Sequence, residues 1–269
     1  MNTTAALWTP PDRRSRATTG GPADPVTSGR MWSSRLIGAL FLAGFLLYGT
    51  GSILVNSVVD SPNFLAGVGA QQTTLALGAF LMISTAAVDI GKAVLFFPVL
   101  ERHGKRTAVA YLATMVFEMA MMTVGVLALL MIIPLADQAD AGEQSLDSAQ
   151  ALGSLAVDAN ETAYQIGQLS LAFGCLFLCA LLMRSGLIPR WLAAWGLIGY
   201  ALHMAGAAAE IFGAPISLVL LVPGGIFEVS LAIWLLVKGF TPAAYDGVPV
   251  TAASVARPAP VADTAQAPL

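Results

Sequence analysis

Residues 72–99, QTTLALGAFLMISTAAVDIGKAVLFFPV, and residues 107–135, TAVAYLATMVFEMAMMTVGVLALLMIIPL, are two apolar blocks parted only by LERHGKR at 100–106. Each block is longer than the roughly 20 residues that carry a helix across a bilayer core of about 30 Å. The segment between them holds Arg102, Lys105 and Arg106, which hydrocarbon does not accept. The chain must therefore cross, turn at the basic segment and cross back. This stretch alone predicts a pair of antiparallel membrane helices.

Working outward, four more apolar blocks lie near 35–56, 160–183, 191–213 and 215–238. The whole chain is 57% hydrophobic and 11% charged. Soluble domains carry about a quarter charged residues, so water could not solvate this surface and the lipid bilayer is the expected partner. The net charge of −3 gives no argument for nucleic acid. The expected fold is all-α: a polytopic membrane bundle of six transmembrane helices over residues 34–240. Residues 1–33, rich in Thr, Pro, Gly and Arg, and residues 241–269, rich in Pro and Ala, read as disordered cytoplasmic tails. The first of these is no standard signal peptide, because its charged region is long and a block of spanning length follows it.

Lys and Arg set the orientation. Arg13, Arg14, Arg16, Arg30 and Arg35 precede the first block, Arg184 and Arg190 flank the fourth loop, and Lys238 ends the sixth block. The first, third and fifth loops hold neither Lys nor Arg. The third is acidic instead, with Asp137, Asp140, Glu143, Asp147, Asp158 and Glu161. Cytoplasmic loops are the Lys/Arg-rich ones, so both termini are expected inside. Trp32, Trp191, Trp195 and Trp234 fall near the same boundary, where amphipathic rings anchor. Within the third loop, Ser145 to Val157 is open to two readings, a short amphipathic helix on the outer surface or a solvated acidic loop.

Ionisable residues inside spans are costly and need a reason. Asp89 and Glu118 lie at nearly equal distances on either side of His103, so antiparallel helices place them at one depth. Lys92 is one turn from Asp89, oriented for an i,i+3 ion pair. Glu228 lies about 15 Å along its helix from Lys238, and His203 is similarly central. The faces agree with the depths: Thr74, Gly78, Thr85, Asp89 and Lys92 form one stripe, and Thr107, Tyr111, Thr114, Glu118 and Gly125 another. Gly196, Gly199, His203, Gly206 and Glu210 form a third. Such small and polar stripes face other helices. Asp89, Lys92, Glu118, His203 and Glu228 are thus expected to converge at mid-membrane. A proton- or cation-coupled site or a small-molecule pocket is one reading of that convergence. A structural network, with Asp89 paired to Lys92 and the other carboxyls protonated, is the other. Pro223, Gly224 and Gly225, just ahead of Glu228, suggest a helix break of the kind that binds substrate in transporters, or an ordinary proline kink.

Catalytic motifs are absent. The chain has two histidines, one in a loop, and two cysteines, Cys175 and Cys179, one helical turn apart. These read as packing residues, with too few ligands for zinc. Met115, Met119, Met121, Met122 and Met131 lack a Cys or His among them and read as packing rather than a copper site. No metal or cofactor is expected.

Phe97 to His103, then Tyr111 through Glu118, resemble a six-span bacterial family catalogued as domain of unknown function 4386. The likeness continues in Arg184-Ser185-Gly186-Leu187-Ile188-Pro189-Arg190-Trp191-Leu192, in Trp195 to Gly199 and in Glu228 through Phe240. It covers about residues 34–240. The resemblance implies six spans in a bacterial inner membrane and supplies no activity. An Arg often stands three residues before the third-helix Glu in that pattern, where this chain has Met115, leaving Lys92 as the substitute partner for Glu118. Three functions stay open: a small transporter or ion-coupled carrier, a non-catalytic membrane partner or sensor subunit, and, least supported, an intramembrane enzyme.

Overall fold

The computed structural model describes residues 25–241 of the chain, the side chains from residue 31 onward. The secondary structure of those residues is helical: α1 (Pro25–Val59), α2 (Leu65–Leu130), α3 (Ile132–Asp140), α4 (Leu146–Ser185), α5 (Arg190–Ile211) and α6 (Ser217–Val237). Among the described residues, five helical stretches are long and apolar enough to cross a membrane: Met31–Val59, Leu65–Asp140, α4, α5 and α6. The chain is an all-helical integral membrane protein. Large apolar side chains such as Leu46, Ile53, Phe80, Ile198 and Leu218 stand exposed on its outer faces, where lipid rather than water covers them.

α2 is folded back on itself. Gly104 has extended backbone angles (φ −179°, ψ 83°) inside an otherwise helical run. The rings of Phe96 and Tyr111 meet edge to face with centroids 6.1 Å apart. On one straight helix those positions would lie about 22 Å apart. The two arms, 65–103 and 105–130, therefore lie side by side, as the basic segment at 100–106 predicts.

At the acidic end the structure is more helical than expected. α3 follows the second arm across a turn at Met131, whose N–H reaches the carbonyls of Leu127 and Ala128. Gly142, at φ +73°, reverses the chain. The Ser145 hydroxyl then accepts from the Ser148 N–H and caps α4. The stretch Ser145 to Val157, open to two readings in the sequence, is the cap and first turns of α4. At 40 residues that helix is about 60 Å long, twice the hydrocarbon thickness. Its extension is held by packing: Phe64 and Leu65 lie against Gly153, and the Gln150 side-chain Oε1 accepts from the Leu65 N–H at 3.1 Å.

At the other end, α4 stops at Gly186, whose left-handed φ of +67° and N–H to the Leu182 carbonyl close the helix. Pro189 then starts α5, as proline suits a helix beginning. α1 also opens on a proline, Pro25, ahead of the boundary expected at 34. The remainder of the expected N-terminal tail, 1–24, and residues 242–269 of the C-terminal one lie outside the described residues.

Two apolar clusters hold the bundle. One, at the basic end, includes Leu100, Leu182, Leu187, Ile188 and Leu235. The other, at the acidic end, includes Val58, Phe64, Leu65, Ile132, Ala136 and Ala149. Helices approach closely at glycine: a Cβ on Gly51 would stand 2.7 Å from the Gly78 carbonyl, and one on Gly199 would stand 2.9 Å from the Gly224 Cα. Pro223, Gly224 and Gly225, open in the sequence to a helix break or an ordinary proline kink, lie inside a helix. α6 runs unbroken from Ser217 to Val237 with Pro223 inside it. Gly224 serves contact with α5, and the Pro223 carbonyl accepts from the Trp195 indole at 3.0 Å.

Candidate functional site

Between the two apolar clusters lies a cavity of about 230 Å³. Asp89, Lys92, Glu118, His203 and Glu228 all line it. The first arm of α2 supplies Asp89 and Lys92, the second arm Glu118, α5 His203 and α6 Glu228. The antiparallel arms thus bring Asp89 and Glu118 to the lining of one cavity.

Lys92 is buried, and its Nζ lies 2.7 Å from Asp89 Oδ1. The same ammonium sits 4.2 Å from the centroid of the Phe41 ring. Space for the Asp89 carboxylate comes from α1, where a Cβ on Gly44 would stand 3.0 Å from Oδ1. One turn of helix sets the pair, and a ring and a glycine of α1 complete its surroundings.

Glu118 is differently placed. It is 3% exposed; its Oε1 accepts from the Gln168 amide of α4 at 3.4 Å, and its Oε2 is buried with no hydrogen-bond partner. Lys92, the substitute partner suggested by the family pattern, turns to Asp89 instead. Glu228 accepts a short hydrogen bond from the Tyr200 hydroxyl. His203, also buried, stacks on the Tyr200 ring, and its Nε2 has no hydrogen-bond partner. Three carboxyl groups therefore face one ammonium around a common space, with two buried polar atoms unanswered. Such a space can hold a cation or exchange protons with its carboxyl groups.

A second cavity, about 490 Å³, adjoins the first toward the acidic end and shares Tyr48, Gly49, Tyr164, Gln168, His203 and Leu221 with it. Asn56 and Glu161, both exposed, belong to its lining. Tyr48 of α1 and Tyr164 of α4 stack where the two cavities meet, with centroids 5.6 Å apart.

Several of these residues escape a search for charges. Gln168, Tyr48, Tyr164 and Tyr200 are neutral and sit in apolar blocks at little cost. Gln165 and Gln168, one turn apart in the fourth block, are the signal that was there to find; the Gln165 amide donates to the Ser217 hydroxyl at the start of α6. Glu210 lies outside the cavity, its carboxylate accepting from the Ser217 N–H at 3.0 Å. Of the methionines, Met115, Met119 and Met122 line the cavity, while Met131 is half exposed. Cys175 and Cys179 are free and buried, and Cys179 fills the space beside Gly196, its Sγ 2.6 Å from where a Cβ would stand.

A family model described as Domain of unknown function (DUF4386) matches residues 36–239. No curated protein and no solved structure matches the chain.

Proposed function

Because the chain belongs to the family described as domain of unknown function 4386, which brings no activity with it, we infer its role from the cavity: a small ion-coupled carrier whose central site is built on carboxylates. In this reading the two arms of α2 are separate crossings, which makes six, and the Lys/Arg-rich turns face the cytoplasm of a bacterial inner membrane with both termini inside. The single observation that carries it is the shared lining. Five ionisable side chains, from both arms of α2 and from α5 and α6, border one space. Purely structural charges would need only their partners, as Asp89 and Lys92 have each other. Glu118 Oε2 and His203 Nε2 have none, and a buried polar atom without a partner costs about 1–3 kcal/mol. A ligand or proton that visits the cavity accounts for keeping them.

The test compares wild type with Glu118→Gln in thermal unfolding across inorganic salts, small metabolites and pH, followed by flux into proteoliposomes. A ligand of the folded state raises the melting temperature as its concentration exceeds its Kd. The carrier reading expects stabilisation and flux that both disappear in a folded Glu118→Gln protein. A variant that is as stable as wild type, with no ligand found for either, removes it.

The alternative, a membrane partner or sensor subunit, draws on the acidic projection. Leu146, Leu152 and Leu155 stand exposed on the first turns of α4, beside Asp147 and Asp158. A stoichiometric partner isolated from native membranes, and lost on Leu155→Glu, supports that role.

A further inference from the structure

The cavity already stations one ammonium. Lys92 Nζ rests between the Asp89 carboxylate and the Phe41 ring, the arrangement by which proteins hold organic cations: charge on one side, an aromatic face on the other. The remaining lining repeats those parts without a tethered cation. Glu118 and Glu228 supply carboxyl groups, and Phe45, Tyr48 and Tyr164 supply rings. With Lys92 matched to Asp89, the rest of the site holds no resident positive charge for an anion to meet. The Glu118 Oε2, in a side chain more than nine-tenths buried, is unpartnered and borders this space.

We propose that the cavity binds a small organic cation, an amine or quaternary ammonium, held by Glu118 and Glu228 and enclosed by the Phe45, Tyr48 and Tyr164 rings. This rests on the carrier reading and names its substrate class. The size fits: about 230 Å³ equals the liquid volume of roughly eight waters, room for a compact ligand of similar heavy-atom count. The route fits as well. The second cavity begins at the acidic end, where Glu161 and Asn56 are exposed, and reaches the first at the Tyr48–Tyr164 stack. The Glu161 carboxylate in its lining favours cations over anions there.

The experiment uses the purified full chain in detergent, with thermal unfolding followed against tetramethylammonium chloride, methylammonium chloride, sodium chloride and sodium acetate at matched ionic strength. Saturable stabilisation by tetramethylammonium or methylammonium, beyond that of sodium chloride, is the expected result. Glu118→Gln should raise the apparent Kd about tenfold, equivalent to the loss of about 1.4 kcal/mol. Tyr164→Leu, which keeps every carboxylate, should raise it severalfold for tetramethylammonium. If Glu118→Gln does not purify, Glu228→Gln and Tyr164→Leu carry the comparison. Saturable stabilisation by sodium or acetate alone overturns the substrate class while leaving the carrier reading intact. Equal stabilisation of wild type and variants overturns the site. No saturable response to any of the four probes overturns the substrate class, while the carrier reading stands or falls on the wider screen and the flux assay.

Discussion

The rings of Tyr48 and Tyr164 stack with their planes inclined by 16° at the border of two cavities. One ring comes from α1 and the other from α4, so the contact ties two helices and partitions the polar interior in the same place. Truncating Tyr164 to Ala should merge the spaces. With Met122, which lines only the inner cavity of the two, replaced by Cys, a cationic thiol reagent added from the acidic side should react severalfold faster in the Tyr164→Ala background. Equal rates would show that the stacked rings do not control access.

Asp89 and Lys92 offer a sharper energetic test. Both lie in a membrane-spanning arm with little exposure. Lys92→Met leaves Asp89 without its cation, and breaking a buried pair from one side costs about 3–5 kcal/mol. Replacing both, as Asp89→Asn with Lys92→Met, removes the charges together and should recover most of that loss. The measurement is a double-mutant cycle on unfolding in detergent. If the single and double variants lose stability equally, the pair is not the unit that matters.

The charges were the most legible part of the sequence. Charge is expensive in hydrocarbon, so Asp89, Lys92, Glu118, His203 and Glu228 stood out, and the turn at 100–106 was enough to set two of them at one depth. Neutral partners carried no such mark. Gln168 beside Glu118, Tyr200 beside Glu228 and the Tyr48–Tyr164 stack depend on how helices are rotated and paired, which spacing within one helix does not determine. The acidic third loop is open to two readings in the sequence, because its charges suit a solvated loop as well as an amphipathic helix. Its residues form α3 and the first turns of α4, with Ala136, Ala149 and Gly153 turned inward. Pro223-Gly224-Gly225 leaves a helix break and an ordinary proline kink both open in the sequence, because proline lacks a donor and glycine is pliant. In the bundle the glycine is used for close contact with Gly199, and α6 stays continuous.

The proposed orientation makes a labelling prediction. Ser145 is exposed at the acidic end and Arg102 at the basic turn. Cys175 and Cys179, at 2% and 0% exposure, should be silent toward a membrane-impermeant maleimide. In intact cells Ser145→Cys should label directly and Arg102→Cys only after permeabilisation. The reverse pattern would invert the protein in the membrane and place the outer cavity on the cytoplasmic side.

Gly51 and Gly78 test whether α1 and α2 are held by backbone proximity. A Cβ on Gly51 would lie 2.7 Å from the Gly78 carbonyl and 2.8 Å from Met82 Cγ, and one on Gly78 would lie 2.7 Å from the Gly51 carbonyl. The Met82 side chain can move aside, but the carbonyls cannot without shifting the helices. Overpacking of this kind costs about 1–3 kcal/mol, and it should act through the cavity as well, since α1 also supplies Phe41, Gly44 and Tyr48 to the lining. Gly51→Ala is therefore expected to lower thermal stability in detergent and to weaken any ligand response, whereas Gly49→Ala, two residues away with open space around its Cβ position, should leave stability near wild type. Equal stability of the two variants would mean that α1 sits farther from α2 than this close approach requires.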